Sequence, residues 1–341
     1  MKLGLFLNYW SAGPPGDARD QLVRADALGF DSAWSAEAYG SDALTPLAWW
    51  GAATRQIKLG TGIMQMSART PAATAMAAMS MDHLSGGRFI LGLGASGPQV
   101  VEGWYGQPYA RPLARTREYI EIVRRIVARE DRIEYHGEFY DLPLAGGTGQ
   151  GKPLKSTLHP RRADLPIFLA AEGPKNVALA AEIADGWLPF WFSPASDAFY
   201  RKAMQEGFDR PGARRTPDDF EVACVVPVVP NPDLEAAASM IRPLLALYVG
   251  GMGSREKNFH KDVFVRMGYE AEANTIQDLY LEGKKADAAA AIPVEMVESV
   301  ALIGSPDKIR DDLEMWKESV VTTLCVQGPV PLLEMVAEMV A

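Results

Sequence analysis

Eight short apolar runs alternate with helix-period segments along the 341 residues, and this alternation constrains the fold more than any other feature. The runs are Lys2–Leu7, Asp31–Ser35, Ile57–Ile63, Arg88–Leu93, Pro166–Ala170, Trp187–Phe190, Phe220–Val228 and Thr322–Val326. Each is apolar on both faces, as a parallel strand covered by helices must be. Between them, Leu22, Ala25 and Leu28 recur at helical spacing, as do Tyr119, Val123 and Ile126 with Ile120 and Val127 beside them. A third helix starts with Thr70 as cap and Pro71 at its first position and stops at Gly86-Gly87, and a last one starts near Pro331. Eight strand–helix units predict an α/β fold, a (β/α)8 TIM barrel, as one domain over residues 1–341. Insertions are expected after strands 4 and 7, at about residues 129–164 and 250–304. The first holds a hairpin over Ile133–Tyr140 turning at His136-Gly137. The second, beginning Gly250-Gly251-Met252-Gly253, suits either a lid or a peripheral helical layer.

The formal net charge of −9 argues against a nucleic-acid or anionic-membrane surface. A phosphate site would then be a local basic spot, with Lys175, Arg69, Lys152, Lys155, Arg161 and Arg162 available. The first strand begins at Lys2, leaving no room for a signal peptide, and no apolar run reaches membrane-spanning length, so the cytoplasm is expected. Cys224 and Cys325 lie inside strand-like runs and read as small core residues. The four histidines, His83, His136, His159 and His260, lack ligand spacing, so no metal site is expected. Gly92-Leu93-Gly94-Ala95-Ser96-Gly97 matches GxGxxG, but Pro98 and a loop through Gly106 follow where a dinucleotide motif needs a helix. These glycines instead suit the approach of a flat ligand to the fourth strand's end.

The segment from Ile167 to Asn176 is a strand turning abruptly into a helix, with Gly173 as cap and Pro174 at the first helical position. Free N–H groups at Lys175 and Asn176 would face outward from the positive end of that helix, a place for a phosphate. An ordinary strand-to-helix turn is the alternative. On a barrel, function gathers where strands end. Those ends supply Asn8-Tyr9-Trp10, then Glu37-Ala38-Tyr39, Gly62-Ile63-Met64-Gln65, Ala95-Ser96, Glu102-Gly103-Trp104-Tyr105, and Phe190-Trp191. Aromatics and glycines with few ionisable groups suit a large planar cofactor better than a sugar or a metal.

In these segments, from Gly60 to Pro71, from Leu91 to Gly106 and from Ala170 to Trp187, the chain resembles the luciferase-like monooxygenase superfamily, in its coenzyme F420-dependent oxidoreductase branch. The resemblance covers nearly the whole chain. It implies hydride transfer between deazaflavin F420 and a small organic substrate, with an FMN-dependent two-component monooxygenase as the alternative, and it implies a homodimer. It places a non-prolyl cis peptide at Gly62-Ile63 under the ring, Glu37 against the cofactor, and Gln65, Ala95 and Ser96 along the ring and ribityl chain. It also places Glu172, Gly173, Lys175 and Asn176 at the phosphate. Ala38 stands where several relatives carry a histidine proposed as proton donor. Glu37, Tyr39 and Glu102 are therefore the expected proton-handling groups, because a carboxyl group desolvated among aromatics becomes a better general acid. Asn8, Trp10, Trp104 and Trp191 would form the substrate pocket. Two readings remain beside this one: a barrel hydrolase using Glu37 and Glu102 as an acid/base pair, and a cofactor-binding protein without turnover.

Overall fold

The computed structural model describes residues 1–340. Its eight principal strands are β1 Lys2–Leu7, β2 Ser32–Ser35, β3 Lys58–Thr61, β4 Phe89–Gly94, β5 Ile167–Ala170, β6 Gly186–Leu188, β7 Glu221–Val225 and β8 Thr323–Val326. All eight fall within the apolar runs or overlap them by most of their length. Strands alternating with helices in this number make the (β/α)8 class. The chain divides into two compact units, one of residues 7–170 with 183–186, the other of residues 1–6, 171–182 and 187–341.

In the first unit β2 pairs in parallel with β3 (Ser32 opposite Lys58), β3 with β4 (Leu59 opposite Phe89), and β4 with β5 (Leu91 opposite Ile167). Its helices are α1 Ala18–Ala27, α2 Leu44–Gly51, α3 Pro71–Leu84 and α4 Pro112–Ala128. Thr70 caps α3, accepting from Ala73 N–H at 3.3 Å, and Gly86 and Gly87 end it in the left-handed region. The α4 stripe of Tyr119, Ile120, Val123, Ile126 and Val127 is buried. Burying each of its aliphatic side chains contributes about 1.5–3 kcal/mol. Gly60 is obligatory in β3: a Cβ there would sit 2.4 Å from the Trp34 ring.

Three local expectations change. The hairpin pairs Tyr135–His136 with Asp141–Leu142, and its turn is Gly137 to Tyr140 rather than His136-Gly137. The Glu118 carboxylate sets that turn by accepting from Glu138, Phe139 and Tyr140 N–H. After Gly97 a six-residue helix, Pro98–Gly103, replaces the expected loop, since proline is at home in a first helical turn. The missing Cβ of Gly94 admits the Ile63 side chain, which a Cβ would meet at 2.9 Å, rather than a ligand.

In the second unit β8 lies between β1 (Lys2 opposite Thr323) and β7 (Ala223 opposite Thr323). β7 stops earlier than its apolar run because Pro227 has no N–H for the ladder. Val228–Pro230 instead pairs with Leu302–Gly304. The helices are α5 Pro174–Ile183, α6 Asp197–Phe208, α7 Leu234–Ala246, α8 Phe259–Arg266, α9 Glu270–Leu281, α10 Pro306–Glu318 and α11 Val330–Val340, with shorter helices at Lys285–Ala290 and Val294–Glu298. The 250–304 segment packs against α7 in an apolar cluster that includes Phe264, Ile276 and Met296, all fully buried. It is a consolidated helical layer. Cys224 and Cys325 are buried free thiols, as expected. Among the described residues no helix is long and apolar enough to cross a membrane, and no cluster of three His, Cys, Asp or Glu is arranged to hold a metal.

Candidate functional site

The first unit builds a polar cradle from the loops after β2, β3 and β4. The loops stay paired beyond the strands: Gly62 N–H donates to Ser35 O at 2.7 Å, and Glu37 N–H to Ile63 O at 3.1 Å. The Gly62–Ile63 peptide is cis. Met64 and Gln65 then pair in parallel with Leu93 and Gly94. This route brings Gln65 N–H to Glu37 Oε2 at 2.9 Å. The Gln65 side-chain amide donates to Glu37 O and to Ser96 Oγ, both at 3.3 Å. Its Oε1 is buried and has no protein partner. Ser96 is held at φ +59°, a left-handed conformation uncommon outside glycine. Ala95 and Ser96 are half-buried.

Arg69 completes the cradle. Its Nη1 donates to both oxygens of Glu37, at 2.8 and 2.9 Å, and the Glu37 side chain is 6% exposed. The Arg69 backbone is itself fixed, because its carbonyl accepts from Tyr119 OH at 3.1 Å and that hydroxyl also bonds Thr74 Oγ1. Glu37 thus stands as a fully engaged acceptor rather than a free acid. Arg69 was visible in the sequence only as one basic residue among several. Its place directly before the Thr70-Pro71 helix start was the available signal.

Tyr105 is a second group, one that the strand-end segments include but to which they assign no role. Its hydroxyl donates to Ala38 O at 3.3 Å. Burial raises its pKa, the Glu37 charge adds to the rise, and Arg69 opposes it. The phenol therefore keeps its proton. The other expected proton-handling groups are placed differently. Tyr39 is 56% exposed. Glu102 is exposed and accepts from Tyr109 N–H at 3.2 Å, so it holds a loop and lacks the desolvation expected of it. The Glu37–Glu102 hydrolytic pair loses its basis, since one carboxylate is locked by Arg69 and the other is solvated.

Trp10 lines an open cleft of about 670 Å³ with Pro14, Gly40, Asp42 and Thr45. Its ring lies 5.7 Å from that of Trp50. Asn8 is half-buried, and Trp104 is 63% exposed. Burial raises the Asp42 pKa, but bonds from Thr45 and Leu44 and the charge of Arg69 outweigh it and leave a net lowering.

In the second unit α5 begins at Pro174, as the Gly173-Pro174 pair predicts. The turn differs in detail from the expected phosphate cradle. Asn176 N–H is not a free donor: it and Val177 N–H both bond Gly173 O, at 3.0 and 2.9 Å. Lys175 is exposed. Glu172 is buried, and its carboxylate lies 2.6 Å from His260 Nδ1. Trp191, expected in a substrate wall, is 2% exposed and packs against Tyr248 and Phe264 with ring centroids 5.7 Å away. Its place is the core of this unit, because the α8 layer covers it.

The fold is a (β/α)8 barrel, and its second- and third-strand ends carry a locked carboxylate beside a cis peptide. The chain belongs to the luciferase-like monooxygenase family, whose model matches residues 1–323. It is 54% identical over 96% of its length to a Mycobacterium tuberculosis protein named "Putative coenzyme F420-dependent oxidoreductase", 94% of which is covered. Its structure is similar to a coenzyme F420-dependent tetrahydromethanopterin reductase from Methanopyrus kandleri, with TM-score 0.81 at 23% identity, covering 99% of this chain and 97% of that one. It is also similar to an F420-dependent secondary alcohol dehydrogenase in complex with an F420–acetone adduct, with TM-score 0.74 at 17% identity, over 99% and 97% of the two chains.

Proposed function

We propose that this protein is an oxidoreductase that transfers a hydride between coenzyme F420 and a small organic molecule. The extent of identity with the mycobacterial relative supports the cofactor class. The local observation that carries the reading is the Gln65 carbonyl oxygen, buried and without a protein partner, between Ser96 and the Glu37–Arg69 pair. Leaving such an acceptor unsatisfied costs about 1–3 kcal/mol, and a ligand N–H or O–H would remove that cost.

Deazaflavin supplies a central-ring carbon that passes two electrons as hydride. The chain's part is binding and orientation. Gln65 Oε1 accepts from the ligand, and Ser96 Oγ, which already accepts from Gln65, keeps its proton to donate. The Gly62–Ile63 peptide and Ala95 shape the floor. Glu37 orders Gln65 and fixes a negative charge there. Within the second unit, Lys175 and the Gly173 turn offer a cation and a helix N-terminus to a phosphate. Trp10 lines the substrate cleft. A homodimer belongs to the same reading and rests on the family resemblance alone.

Titration of the purified protein with oxidised and reduced F420, followed by fluorescence, tests it. Binding at or below tens of micromolar, about −6 kcal/mol or tighter, is expected. No binding in that range, with oxygen consumption supported by reduced FMN, would give the place to the monooxygenase reading.

A further inference from the structure

The cleft lined by Trp10 and Asp42 lies wholly within the first unit, and its volume of about 670 Å³ suits a small organic molecule. Its walls are the loops after β1 and β2 with the start of α2. The two loops meet at Gly40, where a Cβ would lie 3.3 Å from Trp10 O. Trp10, Pro14 and Pro46 supply apolar surface, and Ser11 and Ser41 supply hydroxyl groups. Among the described residues that line the cleft, Asp42 alone is charged.

Asp42 Oδ1 holds the start of α2, accepting from Leu44 and Thr45 N–H, both at 2.8 Å. Burial works against the charge, but those bonds and Arg69 outweigh it, so the group is ionised at neutral pH. Arg69 Nη2 lies 4.0 Å from the same Oδ1, while Arg69 Nη1 lies 2.8 Å from Glu37 Oε2. Coulomb attraction falls with distance, so the guanidinium is matched chiefly by Glu37. Two carboxylates thus share one guanidinium, and the excess negative charge falls on the group that lines the cleft. Asp42 Oδ2 takes neither N–H, and the side chain is 36% exposed. Beside it, the indole of Trp10 is the kind of aromatic surface that attracts cations most strongly.

We propose that this cleft binds a small organic ammonium ion, with Asp42 as its counter-charge and the Trp10 ring as its cation–π partner. An anion would meet the excess negative charge, and a neutral molecule would leave that charge unpaired. The Ser11 and Ser41 hydroxyls are further acceptors for ammonium N–H groups. The formal net charge of −9 favours the approach of a cation. Arg69 joins the cleft to the cradle, since it faces Asp42 and bonds Glu37, which in turn holds Gln65. That the bound ammonium ion is the substrate that exchanges hydride rests on the function proposed above. The preference for a cation rests on the cleft alone.

The probes are benzylamine, protonated at neutral pH, with benzyl alcohol and benzoate as its neutral and anionic counterparts. Calorimetric titration of the full chain without coenzyme reads their binding. Benzylamine is expected to bind about tenfold more tightly than benzyl alcohol, and benzoate more weakly than either. Asp42→Asn keeps an oxygen for the Leu44 and Thr45 N–H groups and removes the charge. It is expected to weaken benzylamine about tenfold and to leave benzyl alcohol within about twofold. Trp10→Leu is expected to weaken benzylamine about threefold or more, which locates the probe in this cleft. Equal affinity for the three probes, a preference for benzoate, or benzylamine binding unchanged in either variant overturns the proposal, and so does the lack of any saturable benzylamine binding. Should a variant fail to fold, the wild-type protein decides: its preference for benzylamine must shrink as salt is raised from about 50 to about 500 mM. F420 is absent from every arm. Benzylamine binding without F420 binding would sink the cofactor reading and leave the cleft, and F420 binding without benzylamine binding would do the reverse.

Discussion

Arg69 Nη1 reaches both carboxylate oxygens of Glu37, and the Gln65 backbone N–H takes one of them as well. The carboxylate that the second strand delivers to the cradle is therefore held as a fixed anion. It orients Gln65, and through Gln65 it orients Ser96.

Removing the arginine leaves that anion buried alone. Arg69→Ala is expected to destabilise the protein by about 3–5 kcal/mol, the range seen when one partner of a buried ion pair is deleted. Urea unfolding measures it. Added guanidinium should restore part of the loss, and stability equal to wild type would show that the pair carries no structural weight.

Gln65→Ala removes the unpartnered acceptor without touching the ion pair. F420 binding is expected to weaken about tenfold, about 1.4 kcal/mol, with little loss of stability. Undiminished affinity in a fluorescence titration would place the ring elsewhere.

Glu102→Gln should leave turnover within about threefold of wild type, because its carboxylate is solvated and serves a loop. A drop of about 100-fold or more in kcat/KM would return Glu102 to the chemistry.

Gly60→Ala places a methyl group 2.4 Å from the Trp34 ring. Overpacking is expected to cost about 1–3 kcal/mol and to shift tryptophan fluorescence. An unchanged melting temperature would mean that the Trp34 ring yields to the added methyl group.

Asp26 links α1 to the start of β3, accepting from Ile57, Gln56 and Arg55 N–H at 2.7–2.9 Å. Burial raises its pKa, but those bonds and the Arg88 charge outweigh it and leave the net value lowered. A carboxylate with a depressed folded pKa contributes stability that is present above its unfolded value near 4 and is lost as pH falls through the lower folded value. Asp26→Asn should therefore be less stable than wild type at pH 7 by about 1–2 kcal/mol, with the gap closing below about pH 4. A gap independent of pH would remove the charge from the explanation.

By itself the sequence determined the rhythm of strands and helices, the helix starts at Thr70-Pro71 and Gly173-Pro174, the stop at Gly86-Gly87, and the buried stripe of α4. These depend on apolar periodicity and on backbone preferences that act over a few residues. Only the tertiary structure decided which carboxylates matter and how. Glu37, Glu102 and Glu172 all follow strand-like runs in the sequence. In the folded chain the first meets Arg69, the second meets solvent and Tyr109 N–H, and the third meets His260. Likewise Trp191 reads as a pocket wall until the α8 layer covers it. The partner of a charged or aromatic side chain is set by which loops close around it, and no local pattern encodes that choice.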